Sequence, residues 1–256
     1  MRALNRTLRL GHLPQPGSRR TTVVKRLALS FLTAAAVPQA VQMTSQPQLA
    51  DGEATPSTGH IGGRPGRALA ELLAGNRRFV GGEPLHGHDV SAAATVASGD
   101  QQPQAVVVGC IDSRVPLEAI FDQTFGSMCV VRSGAHVLDQ AGLGSVEFAV
   151  AALKVPLVVV LGHERCGAVT STVQAVRSGE RPGGALGYLV DQITPAVRAV
   201  GADDPQAVAL ATRRHIAHTV ANLREQELLA EAVERGDVAV VGAIYDLATG
   251  VVTLLP

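Results

Sequence analysis

Three short, nearly continuous apolar runs constrain this chain more than any other feature: QAVVVGC (104–110), MCVVRSGA (128–135) and VPLVVVLG (155–162). A strand exposed on one face alternates apolar and polar residues, whereas an unbroken run of about four to eight reads as a strand covered on both faces. Helical spacing fills the intervals. ALAELLAGNRRFV (68–80) sets Leu69, Leu72, Leu73 and Phe79 along one face, with Asn76, Arg77 and Arg78 at its polar end. GSVEFAVAAL (144–153) and CGAVTSTVQAVRSG (166–179) read as further helices, the second placed to stop at Gly179, and 205–235 holds one or two more. DVAVVGAIYDLATGVVTLLP (237–256) reads as a strand, a turn at Ala248-Thr249-Gly250 and a closing edge strand. Strands alternating with helices predict an α/β fold: a mainly parallel β-sheet flanked by helices, with an N-terminal helical arm and a C-terminal edge hairpin.

A parallel sheet also says where chemistry sits, because sites in open α/β sheets form outside the carboxyl ends of the strands. Cys110 ends the first run, and His163 follows the third, with Cys166 after it and two residues between them. If the first and third runs are neighbours, these residues converge. The chain has only three cysteines, Cys110, Cys129 and Cys166, and its 256 residues need no disulfide framework. Each cysteine is therefore a metal ligand, a reactive thiol or core filler.

Two cysteines and a histidine form a three-ligand set. Structural zinc sites close with four protein ligands, while catalytic ones leave the fourth position exchangeable. Cys129 sits inside an apolar run and reads as a small buried hydrophobe. His136, just past a strand end, reads as an exposed loop residue that could line a pocket or relay protons. Thiolates favour zinc over magnesium or calcium. Cys110, His163 and Cys166 are thus expected to hold one Zn2+ per subunit.

The segment CIDSRVP (110–116) adds Asp112 and Arg114 within a few residues of the first ligand. An Asp there can accept a hydrogen bond from water at the metal, and an Arg can hold that Asp ionised. Zinc lowers the pKa of water from about 15.7 toward ~7, so hydroxide forms at neutral pH for attack on a small electrophilic carbon. Ser113, Val115 and Gly167, neighbours of these residues in sequence, are candidate substrate-pocket residues.

The blocks CIDSRVPLEAIFD (110–122), CVVRSGAHVLD (129–139), SVEFAVAALKV (145–155) and VVVLGHERCGAV (158–169) resemble the β-class carbonic anhydrases in order and spacing. The resemblance extends over roughly 67–256 and includes the GNRRF helix end and the YDLATG hairpin. It implies zinc on Cys110, His163 and Cys166, an Asp112–Arg114 dyad beside it, and reversible hydration of CO2 to bicarbonate and a proton. It also implies a homodimer or higher homo-oligomer with active sites near the subunit interface. Some bacterial members bind a regulatory bicarbonate with a Trp three residues before the first zinc cysteine. Val107 stands there, with Arg132 and Tyr245 remaining, so bicarbonate-gated closure is not expected. Two alternatives use the same residues: hydrolysis of CS2 or COS, and a zinc-binding protein without turnover. A thiol phosphatase is excluded, since its phosphate loop needs C-x5-R and Cys110 to Arg114 is C-x3-R.

Charge is split along the chain. Residues 1–50 carry seven basic residues and no acid, while the remainder carries 15 basic and 22 acidic, a formal −7. An acidic body without a basic, aromatic-studded stripe gives no footprint for nucleic acid. Residues 1–40 read as an export signal: Arg19-Arg20 precede an apolar run from Leu27 to Val37, too short to span a bilayer and suited to a twin-arginine (Tat) signal peptide. Thr21 and Thr22 fit that pattern only in part. A disordered basic tail, a transit peptide and a cytoplasmic location are the alternatives. Residues 41–66, rich in Gly, Pro, Ser, Thr and Gln, read as a linker, and 67–256 as the catalytic domain.

Overall fold

The computed structural model describes residues 61–86, 90–97, 99 and 101–256. The export-like segment and most of the expected linker lie outside them. Five strands form one sheet: β1 (Ala105–Cys110), β2 (Met128–Ser133), β3 (Leu157–His163), β4 (Ala239–Tyr245) and β5 (Val252–Leu254). Their spatial order is β2-β1-β3-β4-β5, with the first four parallel and β5 antiparallel to β4. The helices are α1 (Gly63–Gly81), α2 (Val90–Ala97), α3 (Leu117–Ile120), α4 (Gln140–Ala151), α5 (Gly167–Ser178), α6 (Gly184–Val200), α7 (Ala207–Glu225) and α8 (Glu227–Glu234). None is long and apolar enough to cross a membrane.

β1 and β3 are buried at every position, as unbroken apolar runs require when both faces are covered. Val107 and Val159 face α1 and α3, packing with Leu69, Leu72, Leu117 and Phe121. Val106, Val108, Val158 and Val160 face the other way, toward Val146 of α4 and Ile216, Val220 and Leu223 of α7. Each such side chain contributes about 1.5–3 kcal/mol when fully buried.

The structure departs from the sequence reading at identifiable places. β2 is a sheet edge, half-buried along nearly its whole length, because among the described residues only β1 pairs with it. α1 begins at Gly63, inside the stretch read as linker, and Pro65 is already buried there. Asn76, read as part of a polar helix end, is buried. Its Nδ2 donates to the carbonyls of Ile120 and Gly250 (3.1 and 2.9 Å), and its Oδ1 accepts from Val252 N (2.9 Å), joining α1 to α3 and the hairpin. Gly75 lies so close to the next segment that a Cβ would sit 1.8 Å from the Phe121 carbonyl oxygen. α6 occupies a stretch to which periodicity assigned nothing and carries Pro195 within it.

Candidate metal centre and active site

Parallel pairing of β1 with β3, Gly109 opposite Leu161, brings their carboxyl ends side by side. Cys110 is the last residue of β1 and His163 the last of β3. The chain then turns through Arg165 (φ 52) and places Cys166 as the cap before α5. The three ligand atoms lie within 4.8 Å of one another and all three residues are buried. The two sulfurs stand 3.9 Å apart, and neither cysteine is in a disulfide.

Tautomer chemistry orients the histidine. His163 Nδ1 lies 2.9 Å from the Glu164 carbonyl, which can only accept, so Nδ1 carries the proton and Nε2 presents a lone pair. Nε2 is buried without a hydrogen-bond partner among the described residues. A buried lone pair facing two sulfurs fits a thiolate-loving cation such as zinc, and the carbonyl on Nδ1 is the usual outer support of a ligating histidine.

The sulfurs themselves differ without a cation. The Cys166 hydrogen bond, followed by His163 and the amides of Asp112 and Ala135, draws the Cys110 thiol down to about 4 against the effect of burial. The same contact with Cys110, then burial, pushes Cys166 up, although the amides of Ala168 and Val169 at the start of α5 oppose this. One negative sulfur resists a second at this distance, and a divalent cation removes that resistance.

Asp112 and Arg114 stand beside this trio. Arg114 donates through Nε to Oδ1 (3.0 Å) and through Nη2 to Oδ2 (2.7 Å), and its backbone N–H also reaches Oδ1 (3.0 Å). The guanidinium holds the Asp112 carboxyl well below the usual carboxylate range despite partial burial. Arg132 on β2 fixes the loop from the side, donating to the carbonyls of Cys110 and Asp112 at 2.8 Å each. Val107 is sealed in the core in the cluster that includes Tyr245, while Arg132 is committed to these carbonyls.

The expected pocket residues divide. Ser113 and Gly167 are exposed, Gly167 as the first residue of α5. Val115 is not at the surface. Its N–H bonds the Asp112 carbonyl (3.0 Å), which turns the chain inward and buries the side chain beside Leu117. Ile111, between ligand and dyad, is 64% exposed and was missed as an apolar group at the site's edge. Cys129 is half-buried against the α4-side core, and burial pushes its thiol up. Among the described residues no other metal-holding group occurs.

The largest correction concerns His136. It is 1% exposed rather than a surface loop residue, and its ring stacks on that of His215 from α7, centroids 4.7 Å apart at 30°. Burial, then His215 and His163, holds it well below its ordinary pKa, so it is neutral at physiological pH and unsuited to relaying protons by titration. Ala135 and His136 both adopt φ near 50°, a left-handed conformation that costs a non-glycine residue about 1–2 kcal/mol. Ala135 N–H points at Cys110 Sγ (3.4 Å), and its carbonyl accepts from His215 Nε2 (3.1 Å). Ala135 and His215 carried no sequence signal, since their alliance spans 80 residues and two elements.

The carbonic anhydrase family model matches residues 105–252. Carbonic anhydrase 2 of Mycobacterium tuberculosis is 44% identical over 188 residues, covering 73% of this chain and 90% of that protein. The carbonic anhydrase of Mycolicibacterium smegmatis is 44% identical over 194 residues, covering 74% and 93%. Among solved structures, a Coccomyxa β-carbonic anhydrase in complex with acetazolamide matches at TM-score 0.55 and 25% identity, covering 73% of this chain and 86% of that one. A β-carbonic anhydrase of Aspergillus fumigatus matches at TM-score 0.56 and 26% identity, covering 74% and 89%. The fold is that of an α/β enzyme, and its strand-end trio is a group that could hold a metal ion. The chain belongs to the carbonic anhydrase family, in its β class.

Proposed function

We propose that this chain catalyses CO2 + H2O ⇌ HCO3− + H+ with one zinc ion on Cys110, His163 and Cys166. The observation that carries the reading is the buried His163 Nε2 lone pair facing two sulfurs, with an ionised Asp112 next to it. Zinc in this site supplies a Lewis acid able to lower the pKa of water from about 15.7 toward ~7.

The protein's own groups do the rest. Asp112 accepts a hydrogen bond from the attacking water, which leaves an oxygen lone pair free for the carbon. Arg114 keeps that carboxylate charged and fixed in orientation. Cys110 and His163 end β1 and β3, Cys166 caps α5, and Asp112 lies beside them with Oδ2 3.9 Å from His163 Nε2. Stopped-flow CO2 hydration, run in parallel with CS2 and COS hydrolysis, tests the assignment. Hydration with zinc present supports it; hydrolysis of CS2 or COS alone, or no turnover of any of the three, overturns it.

Two further readings belong here. A homo-oligomer is supported by the outer edge of β2, which pairs with no strand among the described residues, and by exposed Ile111 and Phe148 (64% and 60%); light scattering on the purified chain tests it. Export by the twin-arginine route is supported by Arg19-Arg20 and the apolar run after them. A reporter fused to residues 1–50 that stays in the cytoplasm would contradict export.

A further inference from the structure

The turn Gly134–His136 joins β2 to the loop before α4 and passes directly over the end of β1. Two consecutive non-glycine residues in it, Ala135 and His136, are left-handed, and such a turn persists only where its surroundings over-determine it. Ser133 Oγ donates to the Val137 carbonyl, and Val137 N–H returns to the Gly134 carbonyl (3.2 Å), closing the turn on itself. The second of these holds the Gly134–Ala135 peptide, which carries the Ala135 N–H, and neither holds the next peptide, Ala135–His136. Contacts from outside the turn reach both peptides: Ala135 N–H points at Cys110 Sγ (3.4 Å), and His215 Nε2–H reaches the Ala135 carbonyl (3.1 Å, buried).

The geometry points to His215 as a positioning residue for the metal centre. It clamps the Ala135–His136 peptide at its carbonyl, which holds Ala135 in its left-handed conformation and so keeps the N–H of the preceding peptide aimed at Cys110 Sγ. A carbonyl only accepts, so His215 must carry its proton on Nε2, and the stacked neutral ring of His136 holds its plane. An N–H directed at a ligating thiolate stabilises the sulfur lone pairs and holds the sulfur in place for binding the metal. His215 touches neither metal ligand nor substrate by any contact above. It acts through the two peptide units that meet at Ala135, from a position 105 residues after Cys110 in the chain. This inference rests on the trio binding a divalent metal.

The test uses His215→Phe, which keeps a ring against His136 and removes the donor, and His215→Gln, whose amide can donate in place of Nε2. Each holoprotein is loaded with Co2+ for its sulfur-to-metal charge-transfer band, and zinc release to a chelator is timed separately. In His215→Phe the band should move to longer wavelength, because the sulfur electrons are less stabilised, and zinc should leave about tenfold faster. His215→Gln should restore both. In an Ala135→Gly background the turn is unstrained, so His215→Phe should change both readouts less; this pair also serves if the single variant does not fold. An unmoved band and unchanged release in His215→Phe, or an undiminished effect in the glycine background, would overturn the positioning role. A wild-type chain that takes up neither Zn2+ nor Co2+ would instead overturn the metal reading beneath it.

Discussion

Asp112 Oδ2 stands 3.9 Å from His163 Nε2, while Arg114 grips the same carboxylate through both of its oxygens. The carboxylate is near enough to the ligand nitrogen to meet water in the site, and Arg114 keeps it from swinging among the ligands. In the proposed reaction its role is that of an acceptor with a fixed lone pair.

Asp112→Asn replaces that acceptor with an amide that can present a donor. Zinc content should be unchanged, because the trio is intact, while kcat should fall by about 10²–10⁴-fold, the range for a lost proton-handling group. Stopped-flow turnover beside elemental analysis gives both numbers from one preparation.

Arg114 sets the acid limit of Asp112. Its side-chain hydrogen bond is the largest cause holding the Asp112 carboxyl below the ordinary range. A folded pKa depressed below about 3.9 means that the pair's contribution to stability is present above that pH and lost as pH falls through the folded value. Arg114→Gln should move the Asp112 carboxyl up toward its ordinary pKa, read by carbon-13 titration of the side-chain carboxylate. An unchanged titration would detach Arg114 from this role.

Cys166→Ser removes a sulfur from the buried trio, and in the proposed reading the zinc held there is coupled to folding. Zinc should be lost and the melting temperature should drop. Chelator treatment of wild type should destabilise it comparably, by about 4 kcal/mol if free zinc stood at roughly 1,000 times Kd. Melting with and without chelator checks both: the variant should not respond.

The central strands were legible in the sequence because burial on both faces leaves an unbroken apolar run, and the trio was legible because two of those runs end in Cys110 and Gly162-His163. What escaped depended on distance or on masked periodicity. β2 carries an apolar run like a central strand yet lies at the edge, and sequence does not give strand order. α6 was hidden by Pro195 within its span, and α3, with four residues, is too short for a helical period. Asn76 and His136 were read as polar and exposed, although partners 44 to 176 residues from Asn76, and His215 on α7, bury them.

The α1 contact is held by charge as well as packing. Asp122 is buried, which raises its carboxyl, but Arg78 and the amides of Leu85 and His86 outweigh this and leave it at about 2. The pair therefore stabilises the fold above pH about 3.9 and loses that contribution as pH falls toward 2. Asp122→Asn should destabilise by about 3 kcal/mol, the low end for breaking a buried pair because Arg78 retains 21% exposure. Gly75→Ala should also destabilise, by about 1–3 kcal/mol, through the Phe121 carbonyl. Denaturant unfolding at neutral pH measures both.

Zinc content and CO2 hydration, measured on one preparation before chelation, after it and after zinc is restored, test most directly what Cys110, His163 and Cys166 do. The expected result is about one zinc per chain, with hydration that disappears on removal, returns on restoration and rises through a single ionisation near neutral pH. Hydration that survives complete metal removal, or a full complement of zinc with no hydration, would contradict it.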